Sequence, residues 1–315
     1  MNGVRSHGRG GKLGVFALMV LAAVALRVAD ANPAQSQATT LRAWLVERDP
    51  TLNPMTEVWN DVPAIGVPLT AQLGVYPAGG GSVSTVQAKA VHTDDRLYVR
   101  LEWVDDSRDI RTDHVTSFAD AVAVEFPSEA ASSVPAVCMG QADAGVNIWQ
   151  WRADRQPDLS ASGPDDHPVV DYYPSEGDLW FPAERAGNPY AVDAGDPVQN
   201  LVARSFGTIG PARAQPVTGR ATYEDGSWFV VFSRSFASPG PDQPTFATEQ
   251  RTDVAFAVWN GANSDRNGQK QVSQFVRMAI APTGPPSRGI TWLPTAIAFV
   301  LVIPILALMV RGAGR

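Results

Sequence analysis

Apolar and polar positions alternate with a period of two along much of the chain. In "RLYVRLEWVDD" (96–106), Leu97, Val99, Leu101 and Trp103 fall on one side and Tyr98, Arg100 and Glu102 on the other. That is the pattern of a strand with one buried face. The stretches "VSTVQAKAVHT" (83–93), "DAVAVEFP" (120–127), "GVNIWQWRAD" (145–154), "GRATYEDGSWFVVFSRSF" (219–236) and "TDVAFAVWNGANSD" (252–265) carry the same signature. Asp225-Gly226 separates two strand candidates, a two-residue hairpin signal. No helical periodicity of similar length occurs between the two chain ends. Residues 155–218 are irregular and rich in Pro, Gly and Asp, yet they hold Tyr172, Tyr173, Trp180 and Phe181, so they are expected to fold with the domain. The pattern predicts an all-β protein, an antiparallel β-sandwich with long loops at one end. A closed barrel and two separate sheets are the alternatives.

The two ends differ from this middle. Arg5, Arg9 and Lys12 precede the apolar run 13–26, and "ADA" (29–31) offers a small-residue cleavage site, so residues 1–31 read as an export signal. Retention of the same segment as an anchor is the alternative. Residues 32–57 read as a polar linker and lead-in, and 281–289 as a second linker. Residues 290–310, "ITWLPTAIAFVLVIPILALMV", carry no charge and at ~1.5 Å per residue would span about 30 Å, a C-terminal transmembrane helix despite Pro294 and Pro304. Arg311 and Arg315 mark 311–315 as a cytoplasmic tail. The expected location is the cell membrane, single-pass, with the domain on the extracytoplasmic side.

Composition narrows the chemistry. The 315 residues carry a formal net charge of -7 with 18% charged residues, and 27 Gly and 25 Pro favour many short turns. Cys138 is the only cysteine, which excludes an internal disulfide, covalent c-type haem and a cysteine-ligated cluster within this chain. No basic patch, phosphate-binding glycine loop or nucleophile elbow is present, so no nucleic-acid partner is expected. His92, His114 and His167 form no compact motif. Asp105, Asp106 and Asp109 suit either a polar loop or a hard cation.

Two residues stand out and stay ambiguous on the residues alone. Met139 sits in "PAVCMGQADAGVNIWQWRAD" (135–154), ahead of Trp149 and Trp151; it reads either as core filler or as a sulfur presented to a ligand. Lys270 follows the Asn267-Gly268 turn; it reads either as a solvated hairpin lysine or as an amine donor, which requires the neutral form favoured by burial or a nearby metal.

Five segments together change that balance: "VWNDVPAIGVPL" (58–69), "LYVRLEWVDDSRD" (97–109), "FADAVAVEFP" (118–127), "MGQADAGVNIWQWRAD" (139–154) and "VAFAVWNGANSDRNGQKQVSQF" (254–275). In this order the chain resembles the haem b-binding gamma subunit of ethylbenzene dehydrogenase and related type II DMSO reductase-family complexes, over roughly residues 58–280. The resemblance implies an immunoglobulin-like sandwich holding one noncovalent haem b, its iron between the Met139 sulfur and the Lys270 amine. Two protein ligands leave no open iron position for a substrate, so the implied role is electron transfer rather than catalysis. The implied partners are a molybdenum-cofactor catalytic subunit, an iron–sulfur subunit and a membrane or periplasmic electron carrier. Trp149, Trp151, Phe256 and Trp259 are candidates to pack on the macrocycle, or are sandwich core. Arg100, Arg152 and Arg234 are candidates for its propionates, since a guanidinium forks onto a carboxylate, or are ordinary surface arginines. Asn147 and Ser273 are candidates to orient the ligand. The alternatives are a haem-free carbohydrate-binding or scaffolding module, and an independent haem oxidoreductase.

Overall fold

The computed structural model describes residues 40–286 except 73–78, 113, 130, 132, 157–158, 160–195 and 239. The expected export signal, transmembrane helix and tail, and the aromatics of the 172–181 stretch, lie outside the described residues. Among the described residues no helix is long and apolar enough to cross a membrane. Residues Thr39–Pro285 form one compact unit.

That unit is all-β. In chain order the strands are β1 Thr40–Leu45, β2 Ile65–Pro68, β3 Thr70–Gln72, β4 Thr85–His92, β5 Arg96–Val104, β6 Ala121–Pro127 and β7 Val146–Arg152. They continue as β8 Val198–Ala203, β9 Gly210–Pro211, β10 Thr218–Glu224, β11 Ser227–Ser235, β12 Arg251–Trp259, β13 Lys270–Val272 and β14 Val276–Ile280. Hydrogen bonding runs β10-β11-β5-β4-β1-β14-β12-β6-β7-β8-β9, with β2 on β4, β13 on β12 and β3 on β13. The path folds over at β12. Its first half, Arg251–Val254, pairs with β14, whereas Ala255–Trp259 pairs with β6 and with β13. Switching partners midway lets one strand serve two layers.

The purely antiparallel expectation needs correction. β1 runs parallel to both its neighbours, β14 and β4, so the sheet is mixed. Its residues belong to the stretch the sequence assigns to a lead-in. Elsewhere the pattern and the geometry agree. β10 and β11 pair in full register across Asp225-Gly226, whose φ values of 48° and 70° are those a primed two-residue turn requires.

One apolar cluster joins the layers. Val99, Leu101 and Trp103 of β5 and Trp228, Val230 and Phe232 of β11 meet Val122, Val124 and Phe126 of β6 and Trp149 and Trp151 of β7. The Trp151 and Trp228 rings lie 5.1 Å apart, and the Trp103 and Trp228 rings 6.2 Å. Each fully buried tryptophan contributes roughly 5 kcal/mol of gross apolar burial, before entropy, at about 25 cal/mol per Å². Outside the first layer, Trp59 and Val62 cover Tyr98, Val91 and Val231 in a second cluster. Hence Tyr98, a polar-side position in the alternation, is only 2% exposed; Arg100, two residues on, is 7% exposed, with its guanidinium over the Phe229 ring and donating to the Pro54 carbonyl.

Candidate functional site

The outer face of the second layer carries a cavity of about 560 Å³, within the usual range for small-molecule and cofactor sites. Its floor follows from strand alternation. Side chains at every second position share a face, so Val122, Val124 and Phe126 of β6 point into the core while Ala121, Ala123 and Glu125 point out. On β12 Val254, Phe256 and Val258 belong to the core cluster, and Ala255 and Ala257 line the cavity. The register sets these small residues side by side: Glu125 opposite Ala255, Ala123 opposite Ala257, and Ala121 opposite Trp259. β7 adds Ile148, Gln150 and Arg152 across from Glu125, Ala123 and Ala121. Four alanines therefore keep open a space that larger side chains would fill, and Leu201 and Ile209 extend its apolar wall.

Met139 enters from the loop between β6 and β7, packing on the outer cluster of Ala123, Val146, Ile148, Leu201 and Ala203. The Gly140 N–H donates to the Ala136 carbonyl at 2.9 Å. Gly140 has φ +60°, and a Cβ there would sit 2.6 Å from the Ala144 carbonyl oxygen, so the turn requires glycine. Cys138, at φ +87°, is held by its own N–H, which donates to both carboxylate oxygens of Glu125 at 3.0 and 2.9 Å.

Lys270 enters from the opposite edge. It opens β13, which pairs with β12 on one side and β3 on the other. The preceding loop is tied down by Asp265, whose carboxylate accepts from the N–H of Gly80 and Asn260 and the side-chain amides of Asn263 and Gln271. Arg266 and Gln269 bridge the Asn267-Gly268 turn. The Lys270 Nζ lies 5.1 Å from the Trp259 ring centroid and donates to the Asn267 carbonyl at 3.5 Å.

Lys270 and Glu125 are each only 6% exposed. Burial lowers the Lys270 pKa, against the raising effect of Cys138 and Glu125. Burial pushes Glu125 up to about 7, opposed by the Cys138 N–H and by Lys270. The Cys138 thiol is raised, again by burial first, with Lys270 acting in the opposite sense. A buried amine drawn toward its neutral form and a neutral thioether are both competent donors to a soft or borderline metal centre.

The structure brings Met139, Lys270, Arg152, Phe256 and Trp259 to this cavity. Phe256 borders it from the strand, while its side chain belongs to the inter-sheet core. Trp149 and Trp151 lie wholly in that core, because they alternate with Ile148, Gln150 and Arg152. Trp149 Nε1 donates to Asn147 Oδ1 at 2.9 Å, and Trp151 Nε1 to Gln156 Oε1 at 2.9 Å. Arg234 is buried beside them, its guanidinium 5.3 Å from the Trp149 ring and 4.7 Å from the Phe246 ring, and burial lowers its pKa to about 10. Arg100 lies on the far layer, donating to the Pro54 carbonyl at 2.8 Å and to Glu102 at 3.1 Å. Neither Arg100 nor Arg234 lines the cavity. Asn147 points into the core network with Asn200, and Ser273 Oγ accepts from the Phe256 N–H. Sequence reasoning passed over Glu125, Arg266 and the four alanines. Their signal is the alternation of small with large residues in "ADAVAVEF" and "VAFAVW".

Fold and site thus define an all-β domain with a cavity on one sheet face, where the Met139 thioether and the buried Lys270 amine come from separate segments around one small-residue floor. Comparison with known proteins is specific. The chain belongs to the ethylbenzene dehydrogenase family, whose model matches residues 56–271. It is 31% identical to a heme subunit assigned to a respiratory nitrate reductase of Haloferax mediterranei, over 91% of this chain and 88% of that protein. It is 30% identical to the dimethylsulfide dehydrogenase subunit gamma of Rhodovulum sulfidophilum, over 75% of this chain and 78% of that one. With the chlorate reductase subunit gamma of Ideonella dechloratans it shares 26% identity over 83% and 93%. Among solved structures, a family 9 carbohydrate-binding module from Caldicellulosiruptor kristjanssonii in complex with glucose aligns at a TM-score of 0.41 and 8% identity, covering 80% of this chain and 99% of that one.

Proposed function

We propose that this chain is a haem b-carrying electron-transfer subunit of a molybdenum-family oxidoreductase complex. Family membership supports the reading, and one observation of this chain carries it: Met139 and Lys270, distant in sequence, line the same cavity. The cavity's volume, its alanine floor and its two neutral-capable donors fit a haem. When bound, haem b supplies one-electron redox chemistry.

The chain's own residues do the rest. Met139 is the candidate sulfur ligand and Lys270 the candidate amine ligand, each adding no formal charge in its binding form. Glu125 fixes the Cys138 backbone next to Met139, and Asp265 fixes the loop that delivers Lys270. Ile148, Leu201 and Ile209 present apolar surface that limits water at the ligand. If Met139 and Lys270 both hold the group, it would supply electron transfer only, and substrate conversion would belong to a partner: a molybdenum-cofactor subunit, with an iron–sulfur subunit between. Residues 1–31 and 290–310 suit export and a membrane tether, which would hold the domain near a respiratory carrier on the extracytoplasmic side.

The test is haem extraction from the intact chain purified in detergent, with reduced-minus-oxidised spectra. One noncovalent haem b per chain is the expected result. A folded chain that neither retains nor takes up haem b contradicts the proposal.

A further inference from the structure

Two irregular segments form part of the cavity wall. Phe118 and Ala119 come from the stretch ahead of β6, and Asp265 to Gly268 from the loop between β12 and β13. The second of these leads directly into Lys270. β13 is three residues long and Lys270 stands at its first position, so the approach of the amine depends as much on this loop as on strand pairing.

Behind the wall the two segments are joined at Asp120. Ala119 and Ala121 line the cavity, whereas Asp120 between them is wholly buried and its carboxylate reaches the other layer. Oδ2 accepts from Trp228 Nε1 of β11 at 2.9 Å and from the Asp109 N–H at 2.7 Å, and Oδ1 accepts from the Gly261 N–H at 2.9 Å. Hydrogen bonds to an ionised acceptor are roughly twice as strong as neutral ones. The residues on either side of Gly261 repeat the pattern: Asn260 Nδ2 donates to Asp105 Oδ1 at 3.3 Å, and the Ala262 N–H to Asp109 Oδ2 at 3.0 Å. Three successive residues at the base of the lysine loop thus donate to three carboxylates of the 105–120 segment. Gly261 lies so close to that segment that a Cβ would stand 1.9 Å from the Phe118 carbonyl oxygen, which fixes how the loop seats on it.

Resting on the haem reading above, we infer that Asp120 is a positioning residue for the amine ligand: from behind the cavity wall its carboxylate fixes the base of the 260–269 loop and so sets where the Lys270 amine is presented. Asp265 holds this loop together from within, and Asp120 ties it to the inter-sheet core through Trp228. Met139 arrives on a different loop, held by Glu125 through Cys138. A change at Asp120 therefore reaches the amine side of the cavity and spares the sulfur side.

The test variant is Asp120→Asn. Burial, then the charge of Asp105, pushes the Asp120 pKa up to about 7 against the Gly261, Asp109 and Trp228 donors, so the neutral amide removes a costly buried charge and the fold should persist. Asparagine has one acceptor oxygen; the two donors on the Oδ2 side hold it, and its amide then faces the Gly261 N–H, which loses its acceptor. Hydrogen exchange of the ligand-free full chain in detergent, at about pH 8 and so above the Asp120 pKa, is expected to be about ten- to a hundredfold faster at 260–268 and unchanged at 136–146, the Met139 loop. After loading with ferric protoporphyrin IX, the variant should keep the near-infrared sulfur band while its low-spin electron paramagnetic resonance g values and its potential move. If Asp120→Asn does not fold, Asp109→Ala, which strips the Ala262 N–H, carries the same comparisons with a smaller effect. Exchange equal to wild type at 260–268, or raised equally at 136–146, overturns the joint. Faster exchange with g values and potential unchanged overturns the positioning of Lys270 and leaves the haem reading standing. A wild-type chain that takes up no haem overturns the haem reading, while the exchange comparison still decides whether Asp120 holds the loop.

Discussion

Glu125→Gln isolates the energetic consequence of building an acid into the cavity floor. Glu125 is 6% exposed, and burial pushes its pKa up to about 7 from an ordinary value of 4.5. A carboxyl whose folded pKa lies above its unfolded one binds more protons in the folded state between those two values. Its contribution to stability is therefore fully present below about pH 4.5 and is lost as pH rises toward 7. A difference of about 2.5 pH units at 1.36 kcal/mol each amounts to about 3 kcal/mol, most of it between pH 5 and pH 8. Glutamine has the same shape, and its Oε1 still accepts from the Cys138 N–H, but it has no charge to bury. Urea denaturation of the ligand-free chain at pH 5 and pH 8, for wild type and Glu125→Gln, measures the difference directly. Wild type should lose about 2–3 kcal/mol more than the variant on going to pH 8. Equal pH dependence in the two proteins would refute the reasoning and show that Glu125 is solvated or fully compensated.

Other perturbations follow from the same geometry. Ala257→Phe puts a large side chain on the alanine floor, facing away from the core; the fold should persist by far-UV circular dichroism while haem uptake falls at least tenfold. Gly140→Ala forces a Cβ to 2.6 Å from the Ala144 carbonyl at φ +60°, and should cost about 1–3 kcal/mol in urea denaturation, with weaker haem retention. Asp265→Ala strips four donors of their acceptor and should cost about 3 kcal/mol or more; its thermal transition should drop clearly below that of Asp265→Asn.

Strand pattern made much of the fold legible. The alternation in "RLYVRLEW" and the Asp225-Gly226 turn locate β5 and the β10–β11 hairpin directly, because a half-buried strand and a primed turn impose local residue choices. The placement of β1 was not legible. A short strand parallel to both neighbours gains its position from long-range partners, Met278 and Val91 among them, and "TLRAWL" says nothing about which edges it will join. The burial of Tyr98 and Arg100 was hidden for a related reason, since a distant loop packs Trp59 with Tyr98 and offers the Pro54 carbonyl to Arg100. At the site, motif resemblance brought Met139 and Lys270 forward, and the structure sets both on one cavity. The arginines were another matter. Type and charge alone do not separate Arg234, sealed between Trp149 and Phe246, from Arg266 on the cavity rim. Strand parity does separate Trp149 and Trp151 from the cavity face, because they share β7 with Ile148, Gln150 and Arg152.

The central claim is that the sulfur of Met139 and the amine of Lys270 together hold one haem iron. It is tested most directly by near-infrared magnetic circular dichroism and redox titration of the haem-loaded full chain, comparing wild type with Met139→Ala and Lys270→Ala. The account predicts a methionine-ligated, six-coordinate low-spin signature in wild type, loss of the sulfur band in Met139→Ala, and a changed spectrum and potential in Lys270→Ala. Haem bound with the same spectrum and potential in all three proteins would contradict it.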